Sequence, residues 1–260
     1  MTKVLMFGAT GGCGNQTLLR LLEDGVHVTV IVRDESRLSL PVQGHKNLTV
    51  VVAPDGHLGM PLGQYIIGCD AVISTLGHNL TFSGICGPPK RLCSDTTQKV
   101  CAAIRDLEPE VPIKFIFIST EGVDSPDGTD PKRSICERIT LCLLWLLLPP
   151  HADNMAVLDV IQSEVSGDRN PYVEFCAVRP SDLIDGELTP GGFSVHENLQ
   201  NGIFNGTRPS TRANVGRFMA NLVTKPEVWE RWKNKFPHIL DCHVAEGEVE
   251  MKMDKEYDHV

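Results

Sequence analysis

Three glycines near the start of the chain carry the clearest chemical signal. Gly8, Gly11 and Gly14 follow one another at intervals of three, directly after the apolar run Lys3–Phe7. Gly8 would permit a tight turn, Gly11 would let the backbone approach a pyrophosphate, and Gly14 would let a following helix pack on the strand. The start of that helix offers free N–H groups and the positive end of its dipole to an anion. The loop therefore predicts a dinucleotide phosphate site.

The flanking segments give the glycines the context that such a site needs. Residues 15–24 are typical of a helix with its leucines inward, and residues 26–32 of a second strand, which completes a β-α-β unit. Cys13 stands at the helix N-terminus, where a thiolate is stabilised, but the sequence favours the simpler interpretation that it fills a variable position of the loop. The residues predicted to line the phosphates are Gly8, Thr10, Gly11, Gly12, Cys13 and Gly14.

Two arginines follow the second strand. Arg33 ends the apolar run and Arg37 stands four residues later. A guanidinium fork suits a dianionic phosphate, whereas a carboxylate there would repel it. Asp34 lies near where an acidic residue would hold the ribose hydroxyls of NAD, and both arginines could be ordinary solvated charges. On balance the segment favours NADPH/NADP+ over NAD.

Taken together, the glycine spacing and the two arginines resemble the short-chain dehydrogenase/reductase superfamily. They are closest to its atypical NAD(P)H-binding group, which includes biliverdin-IXβ (flavin) reductase and the NmrA-like proteins. The resemblance covers about residues 1–225 and implies that Arg33 and Arg37 hold the 2′-phosphate of NADP. It also implies cofactor contacts at later strand ends, from Asp55, Leu76, Gly77, Ser119, Thr120, Arg179, Pro180 and Leu183. Asp55 could instead be a plain turn residue.

Strands and helices alternate along the rest of the chain. We predict strands at 47–53, 70–76, 113–119 and 172–178, and helices at 94–107, 131–147, 153–164 and 212–224. Ser94 or Asp95 would cap the first of these helices. Such alternation indicates a Rossmann-like, doubly wound α/β fold with a parallel sheet and ligands at the carboxyl ends of its strands. The long segments 77–90 and 186–209 are predicted as a lid and a substrate loop, so a small substrate lobe would form from late loops and helices.

The composition is that of an ordinary globular protein. At 260 residues, with 42% hydrophobic and 22% charged residues, the chain suits a single domain over 1–240. Seven acidic residues and two lysines in 241–260 predict a flexible acidic tail. The net charge of −9, with no clustered basic residues, argues against nucleic-acid binding.

The apolar and sulfur-containing residues bear on the compartment. The longest apolar run, residues 141–148, is too short to span a membrane, and we expect a buried helix end or pocket wall instead. Met1 leads directly into the first strand without a targeting segment. The nine cysteines are scattered and indicate reduced thiols. We therefore expect a cytoplasmic protein that has a small-molecule substrate and no membrane partner; the sequence leaves its oligomeric state open.

One expected catalytic element is missing. Typical members of the superfamily use a Tyr-x-x-x-Lys pair to exchange a proton with a carbonyl substrate. Here Tyr65 and Tyr172 are followed four residues later by cysteines, and the chain ends before a partner for Tyr257. The usual basis for alcohol–ketone oxidoreduction is therefore absent.

The remaining catalytic candidates are Thr120, His151 and Ser119. Thr120, with Ser119, ends the fifth strand and could orient a substrate oxygen, or serve only as a turn hydroxyl. His151 follows two prolines and has an ordinary pKa near neutrality, although residues 149–154 could be simply a helix break with Asp153 or Asn154 as a cap. Glu121 and Asp182 could also face the nicotinamide. No spacing suggests a metal site.

These observations predict an NADPH-dependent reductase that transfers a hydride to a small conjugated, flavin-like or quinone-like acceptor. Such an acceptor can take its proton from solvent, which makes the missing tyrosine tolerable. The NmrA-like resemblance allows a second interpretation, a non-catalytic NADP-binding regulator or scaffold. A third is an isomerase or cyclase that uses the same pocket without net redox change.

Overall fold

One central sheet of eight strands organises the computed structural model, which describes residues 1–78, 87, 89–167, 169–189, 191–204 and 208–242. The strand order is β3-β2-β1-β4-β5-β6-β10-β8. The strands are β1 (Lys3–Phe7), β2 (His27–Val32), β3 (Leu48–Val52), β4 (Ala71–Ser74), β5 (Ile113–Ile118), β6 (Val173–Pro180), β8 (Phe193–His196) and β10 (His238–Asp241). Two short strands, β7 (Leu183–Ile184) and β9 (Ser210–Thr211), pair separately.

The direction of the strands confirms the predicted Rossmann-like α/β fold. All the neighbouring pairs from β3 to β10 are parallel, and β8 alone in this sheet runs antiparallel to its neighbour. The chain moves outward from β1 in both directions, so the switch point of the sheet lies between β1 and β4. Phe7 at the end of β1 pairs with Ser74 at the end of β4. A ligand of such a sheet binds outside this edge.

Helices cover both faces of the sheet. They are α1 (Gly12–Glu23), α2 (Gly63–Ile66), α3 (Leu92–Leu107), α4 (Ile135–Leu147), α5 (Pro149–Glu164), α6 (Arg212–Thr224) and α7 (Pro226–Trp232). One buried core joins α1 and α6 to the sheet, and a second joins α3 and α5 to the other face. The backbones of α1 and α6 approach closely, since a Cβ added at Gly216 would lie 2.7 Å from the Gln16 Cβ.

The start of α3 differs from the prediction. Ser94 and Asp95 lie inside the helix, which begins at Leu92 after an N-cap residue, Arg91, that makes no side-chain cap. The carboxylate of Asp153 accepts the backbone N–H groups of Cys93 and Ser94 instead, at 2.8 and 3.0 Å. The cap therefore comes from a distant part of the chain, which local sequence does not reveal.

The two prolines at 149 and 150 also act differently from the prediction. They open α5, whose N-terminus tolerates proline because its first N–H groups have no partner within the helix. His151 and Asp153 therefore lie in the early turns of α5, and neither Asp153 nor Asn154 caps that helix. The preceding helix, α4, begins at Ile135 and not at 131, because Ser134 and Glu137 form a capping box there.

The apolar run 141–148 is not the buried helix end or pocket wall that the sequence predicts. In α4 the side chains of Leu143, Trp145 and Leu146 are 50%, 55% and 68% exposed, and Glu137 alone in this helix is buried. Apolar residues surround the helix, so that a single inward stripe cannot bury them all. Within the described residues no single helix is long and apolar enough to cross a membrane. Helices α4 and α5 reach the necessary length and hydrophobicity only together, and they are bent by 100° relative to each other.

Later segments differ from the prediction in one more respect. The predicted substrate loop 186–209 contains strand β8, and β10, which the sequence did not predict, lies between β6 and β8. Most of the predicted lid, residues 79–86 and 88, lies outside the described residues, as does the tail from residue 243 onward. The flexible tail thus stays a prediction.

Candidate cofactor and active site

Two of the three glycines in the loop are required by the fold itself. Gly8 has a φ of +82°, and a Cβ there would lie 2.7 Å from the backbone of Thr75. A Cβ at Gly14 would clash with the carbonyl oxygen of Gly8. Thr75 fixes the approach by donating both its N–H and its hydroxyl to the Phe7 carbonyl. These glycines let β1, α1 and the end of β4 meet at the switch point.

Gly11 differs from them because nothing inside the protein requires it. Its φ of −84° and ψ of 168° suit any residue, and the nearest atom to an added Cβ is 3.4 Å away. Gly11 and Gly12 are exposed at the start of α1, whose first N–H groups have no partner within the helix. An open cradle that a side chain would fill fits a pyrophosphate lying against the loop.

An arginine that the sequence did not single out lies over this loop. A Cβ added at Gly12 would lie 2.6 Å from Cδ and 2.8 Å from Nε of Arg212, at the start of α6. Its guanidinium pairs with Asp185 at 2.8 Å. Arg212 lies 200 positions from the loop along the chain, so no motif spacing could have revealed it.

Cys13 is buried at the start of α1. Burial raises the pKa of its thiol to about 11, an effect that the nearby Arg212 only partly offsets. The thiol is therefore protonated near neutral pH, because desolvation outweighs any stabilisation of a thiolate by the helix N-terminus. Cys13 fills the loop as a small apolar residue.

The two arginines after β2 are exposed, and neither forms an ion pair within the described part of the chain. The intervening Asp34 turns its carboxylate into its own turn, where it accepts the N–H and hydroxyl of Ser36 at 2.9 and 2.7 Å. These hydrogen bonds hold the pKa of Asp34 below its usual value. The acidic residue is thus engaged locally, while Arg33 and Arg37 face solvent.

The other predicted cofactor residues near the switch point occupy turns. Asp55 is exposed in a turn closed by the Gly56 N–H and the Ala53 carbonyl, a position compatible with either of its two interpretations. Gly77 is exposed, with open space around it. The Leu76 carbonyl accepts the thiol of Cys93 at 3.6 Å, which ties this turn to α3.

The end of β5 brings two of the catalytic candidates near each other. The ring of His151 lies against the turn that follows Thr120, since a Cβ at Gly122 would be 3.3 Å from its Cε1. Burial, followed by the charge of Arg133, lowers the pKa of His151. The hydroxyl of Thr120 accepts the Gly122 N–H at 3.3 Å, and Ser119 is half-buried beside it.

Arg179 has an internal role. Its fully buried guanidinium forms an ion pair with Asp130 and donates to the carbonyls of Val123, Phe236 and Glu197. The backbone N–H of Arg179 donates to the Pro237 carbonyl. The donors of Arg179 are thus occupied by β10 and the Asp130 loop, while the backbone contact with the nicotinamide that the resemblance implies for the Arg179-Pro180 segment stays a prediction.

The segments around Arg179 are also engaged inside the protein. Pro180 accepts the N–H of Glu121 at 3.3 Å, and Leu183 lies in β7. The carboxylate of Glu121 faces the fully buried His238, with 3.6 Å between Oε2 and Nε2. Asp182 is exposed. Of the two acidic residues that the sequence suggests for the nicotinamide side, Glu121 faces β10 and Asp182 faces solvent.

A buried polar cluster that the sequence did not predict joins the segment after β4 to the first turns of α3 and α5. His78 Nε2 lies 2.8 Å from Asp153 Oδ2, and Asp153 also accepts the hydroxyl of Ser94 at 2.6 Å. His78, Cys93 and Asp153 each offer a possible metal-ligand atom within 4.8 Å of the others. Burial raises the pKa of the Cys93 thiol. Each carboxylate oxygen of Asp153 already accepts two hydrogen bonds. Hydrogen bonds to Asp153 thus hold the cluster together.

The comparison with protein families agrees with this geometry. The family model described as NAD(P)H-binding matches residues 8–226, from the first glycine of the loop to the start of α7. The chain belongs to the NAD(P)H-binding family.

Solved structures support the fold of this NAD(P)H-binding protein. The anaerobilin reductase ChuY from Escherichia coli O157:H7 is 17% identical, with 94% of this chain and 99% of that chain covered at a TM-score of 0.62. A short-chain dehydrogenase/reductase from Veillonella parvula, solved in complex with NADP, is 13% identical, with coverages of 92% and 94% and a TM-score of 0.65. A protein assigned as an NADH-flavin reductase, from Streptococcus pneumoniae, is 16% identical, with coverages of 93% and 100% and a TM-score of 0.60.

Proposed function

We propose that this NAD(P)H-binding protein is an NADPH-dependent reductase of a small conjugated, flavin-like or quinone-like acceptor. The observation that carries the cofactor part is the pair Arg33 and Arg37, exposed after β2 while the carboxylate of Asp34 is held by Ser36. Two exposed guanidinium groups that form no ion pair with the described residues suit a 2′-phosphate. The reductase part is supported by the similarity to structures named as reductases, including one named for flavin and one for anaerobilin.

The residues at the switch point would hold the dinucleotide. The open loop at Gly11 and Gly12, with Arg212 beside it, would bind the pyrophosphate, and the turn at Gly77 would lie along the ribose. The bound NADPH would supply a hydride. Thr120 would orient the acceptor's oxygen, and His151 would contact it from the first turn of α5.

Two observations favour a second function, a non-catalytic NADP-binding regulator. The Tyr-x-x-x-Lys pair is missing, and the hydroxyl of Thr120 is already engaged with the Gly122 N–H. An isomerase or cyclase without net redox change would fit the same pocket. NADPH oxidation should therefore be followed with FMN, menadione and a simple enone, alongside NADPH affinity. Tight binding with no turnover of any acceptor would favour the regulator.

The cofactor preference has its own test. Replacing both arginines, Arg33→Ala with Arg37→Ala, should weaken NADPH binding roughly 100-fold, because two charge-assisted hydrogen bonds would be lost. NADH affinity should change little. Two exposed arginines elsewhere, changed as Arg105→Ala with Arg169→Ala, provide the matched control and should leave both affinities intact. Equal affinity of the unchanged protein for NADPH and NADH would contradict the proposal.

A further inference from the structure

We infer that His78 delivers the proton to the acceptor as it is reduced, and that Asp153 holds its imidazole in place. The inference rests on the proposed reductase function and supplies the proton donor that the missing Tyr-x-x-x-Lys pair leaves unassigned. His78 follows the turn after β4, and Asp153 lies in α5. Their side chains meet at 2.8 Å and are 6% and 0% exposed.

The contact fixes which nitrogen can react. An ionised carboxylate can only accept a hydrogen bond, so Nε2 of His78 must carry the hydrogen that points to Asp153 Oδ2. Hydrogen bonds from Ser94, His78 and Cys93 favour the ionised carboxylate, and the pKa of Asp153 is lowered despite its burial. Nδ1 of His78 is then the nitrogen that can exchange a proton, and the carboxylate compensates the charge of the imidazolium.

The topology of the sheet brings the pair to the side on which the nicotinamide is expected. A dinucleotide lies across the switch point between β1 and β4, with its phosphates at the loop after β1. The other half of the cofactor then lies over the ends of β4 and β5. His78 is four residues beyond the end of β4, and α5 brings Asp153 to it from the β5 side. The Leu76 carbonyl, bonded to Cys93, fixes this turn.

A purely structural role does not require the histidine. Asp153 caps α3 by accepting the N–H groups of Cys93 and Ser94 and the hydroxyl of Ser94. Those three bonds complete the cap. The imidazole adds a second ring nitrogen, which a cap does not use, in a site shielded from bulk water. Directed donors in such sites are the usual means of proton transfer in catalysis.

Reduction of the acceptor transfers one hydride and one proton. The acceptor gains a hydride from C4 of NADPH, which leaves as NADP+, and a new C–H or N–H bond forms. The electron pair of the acceptor's broken π bond moves to its oxygen or nitrogen. His78 donates its Nδ1 proton to that atom, and solvent returns a proton to the imidazole after the product has left.

The first test needs no turnover. Of the nine histidines, the imidazole signals of His78 can be assigned in 15N-histidine-labelled protein by their loss in His78→Gln. They should shift on addition of NADPH but not of 2′-phospho-ADP-ribose, which lacks the nicotinamide. The signals of His57, another buried histidine bonded to α3 through Thr96, should shift with neither. A His78 signal that responds equally to both ligands would overturn the inference.

The second test uses turnover with FMN and menadione. His78→Gln keeps an amide donor for Asp153 but cannot transfer a proton, so kcat should fall about 100-fold with NADPH affinity unchanged. The matched control, His57→Gln, should leave kcat unchanged. Added imidazole should restore activity to His78→Ala, which leaves a space, but not to His78→Gln.

The outcomes separate the inference from the function on which it rests. Turnover by the unchanged protein together with full activity of His78→Gln would overturn the inference and leave the reductase function standing. Binding of NADPH without turnover of either acceptor would overturn the reductase function with these acceptors, and proton delivery with it. The NMR comparison would still decide whether His78 faces the nicotinamide.

Discussion

The two sides of the switch point use their polar residues in opposite ways. On the β1–β3 side, the residues assigned to the cofactor are exposed and make few contacts with the rest of the protein: Gly11, Arg33, Arg37 and Asp55. On the β4–β6 side, the polar groups are buried and meet one another. The pairs are His78 with Asp153, Arg179 with Asp130, and His238 with Glu121.

This difference separates binding from stability. An exposed arginine without a partner contributes little to folding and is available to an anion. A buried charge is held by its partner, and removing one member leaves the other uncompensated in a medium of low dielectric. Substitutions of the exposed arginines on the first side should therefore change affinity, and substitutions that break the buried ion pairs on the second side should change the free energy of unfolding.

The largest effect is expected at Arg179. Arg179→Leu should lower the free energy of unfolding by about 3–5 kcal/mol, because Asp130 would remain buried without its cation. Urea denaturation measures this directly. Arg105→Ala, which breaks an exposed pair with Glu164, is the control and should change stability by less than about 1 kcal/mol. Normal stability with lost NADPH binding would place Arg179 on the cofactor after all.

Next comes the glycine loop. Gly11→Val should lower NADPH affinity about 100-fold or more, because the side chain would fill the space for the pyrophosphate. The backbone at 11 accepts valine, so the melting temperature should change little. Gly14→Ala should do the reverse, losing stability because its methyl group would meet the Gly8 carbonyl. A stable Gly11→Val variant with normal affinity would show that the loop has no cofactor role.

A buried histidine on the β3 side, His57, should make the free energy of unfolding depend on pH. Burial lowers the pKa of His57 to about 4 from an ordinary 6.5, so below pH 6.5 the unfolded chain binds a proton that the folded protein does not. The free energy of unfolding therefore keeps its full value, as far as His57 is concerned, above about pH 6.5, and it falls as the pH drops toward 4. Between pH 7 and pH 5 this decrease should amount to about 2 kcal/mol.

Urea denaturation of the unchanged protein and of His57→Gln at both pH values checks this. The variant keeps a donor for Thr96 but cannot titrate there, so its stability should fall less over the same range. Other histidines with lowered pKa values, His151 and His196, act alike in both proteins. An identical pH dependence for the two would contradict the assignment.

The smallest effect is expected at Arg212. Arg212→Ala should weaken NADPH and NADH alike, roughly 10-fold, because its guanidinium lies beside the loop for the pyrophosphate that both share. Calorimetric titration with each cofactor measures the two losses. Its exposed partner Asp185 is the control, and Asp185→Asn should leave both affinities unchanged. A loss confined to NADPH would show instead that Arg212 contacts the 2′-phosphate.

Much of the fold could be predicted because its signals are local. The glycine spacing, the apolar runs and the stripe of α6 each lie within a few turns of chain, and Arg212–Thr224 has the predicted bounds. The misses have distant causes. The α3 cap comes from Asp153, about 60 positions away, and β10 is a strand because it fits between β6 and β8.

The candidate site divides in the same way. The positions of Gly8, Gly14, Arg33 and Arg37 follow from a β-α-β unit that is continuous in sequence. His78 stood in a predicted loop, and Asp153 beside two prolines resembled a helix cap. Only the folded chain brings their side chains together, so no spacing in the sequence could indicate the pair.

The close crossing of α1 and α6 bears on how the chain folds as it is made. Gly216 lies against the backbone of Gln16 and Thr17, and the Thr17 hydroxyl reaches the sulfur of Met219, 202 positions away. Helix α1 therefore gains its covering only after residue 224 has left the ribosome. Contacts of such sequence separation slow folding and leave apolar surface uncovered meanwhile. We expect nascent chains that end before α6 to expose the Leu18 and Leu21 side of α1 and to require chaperones.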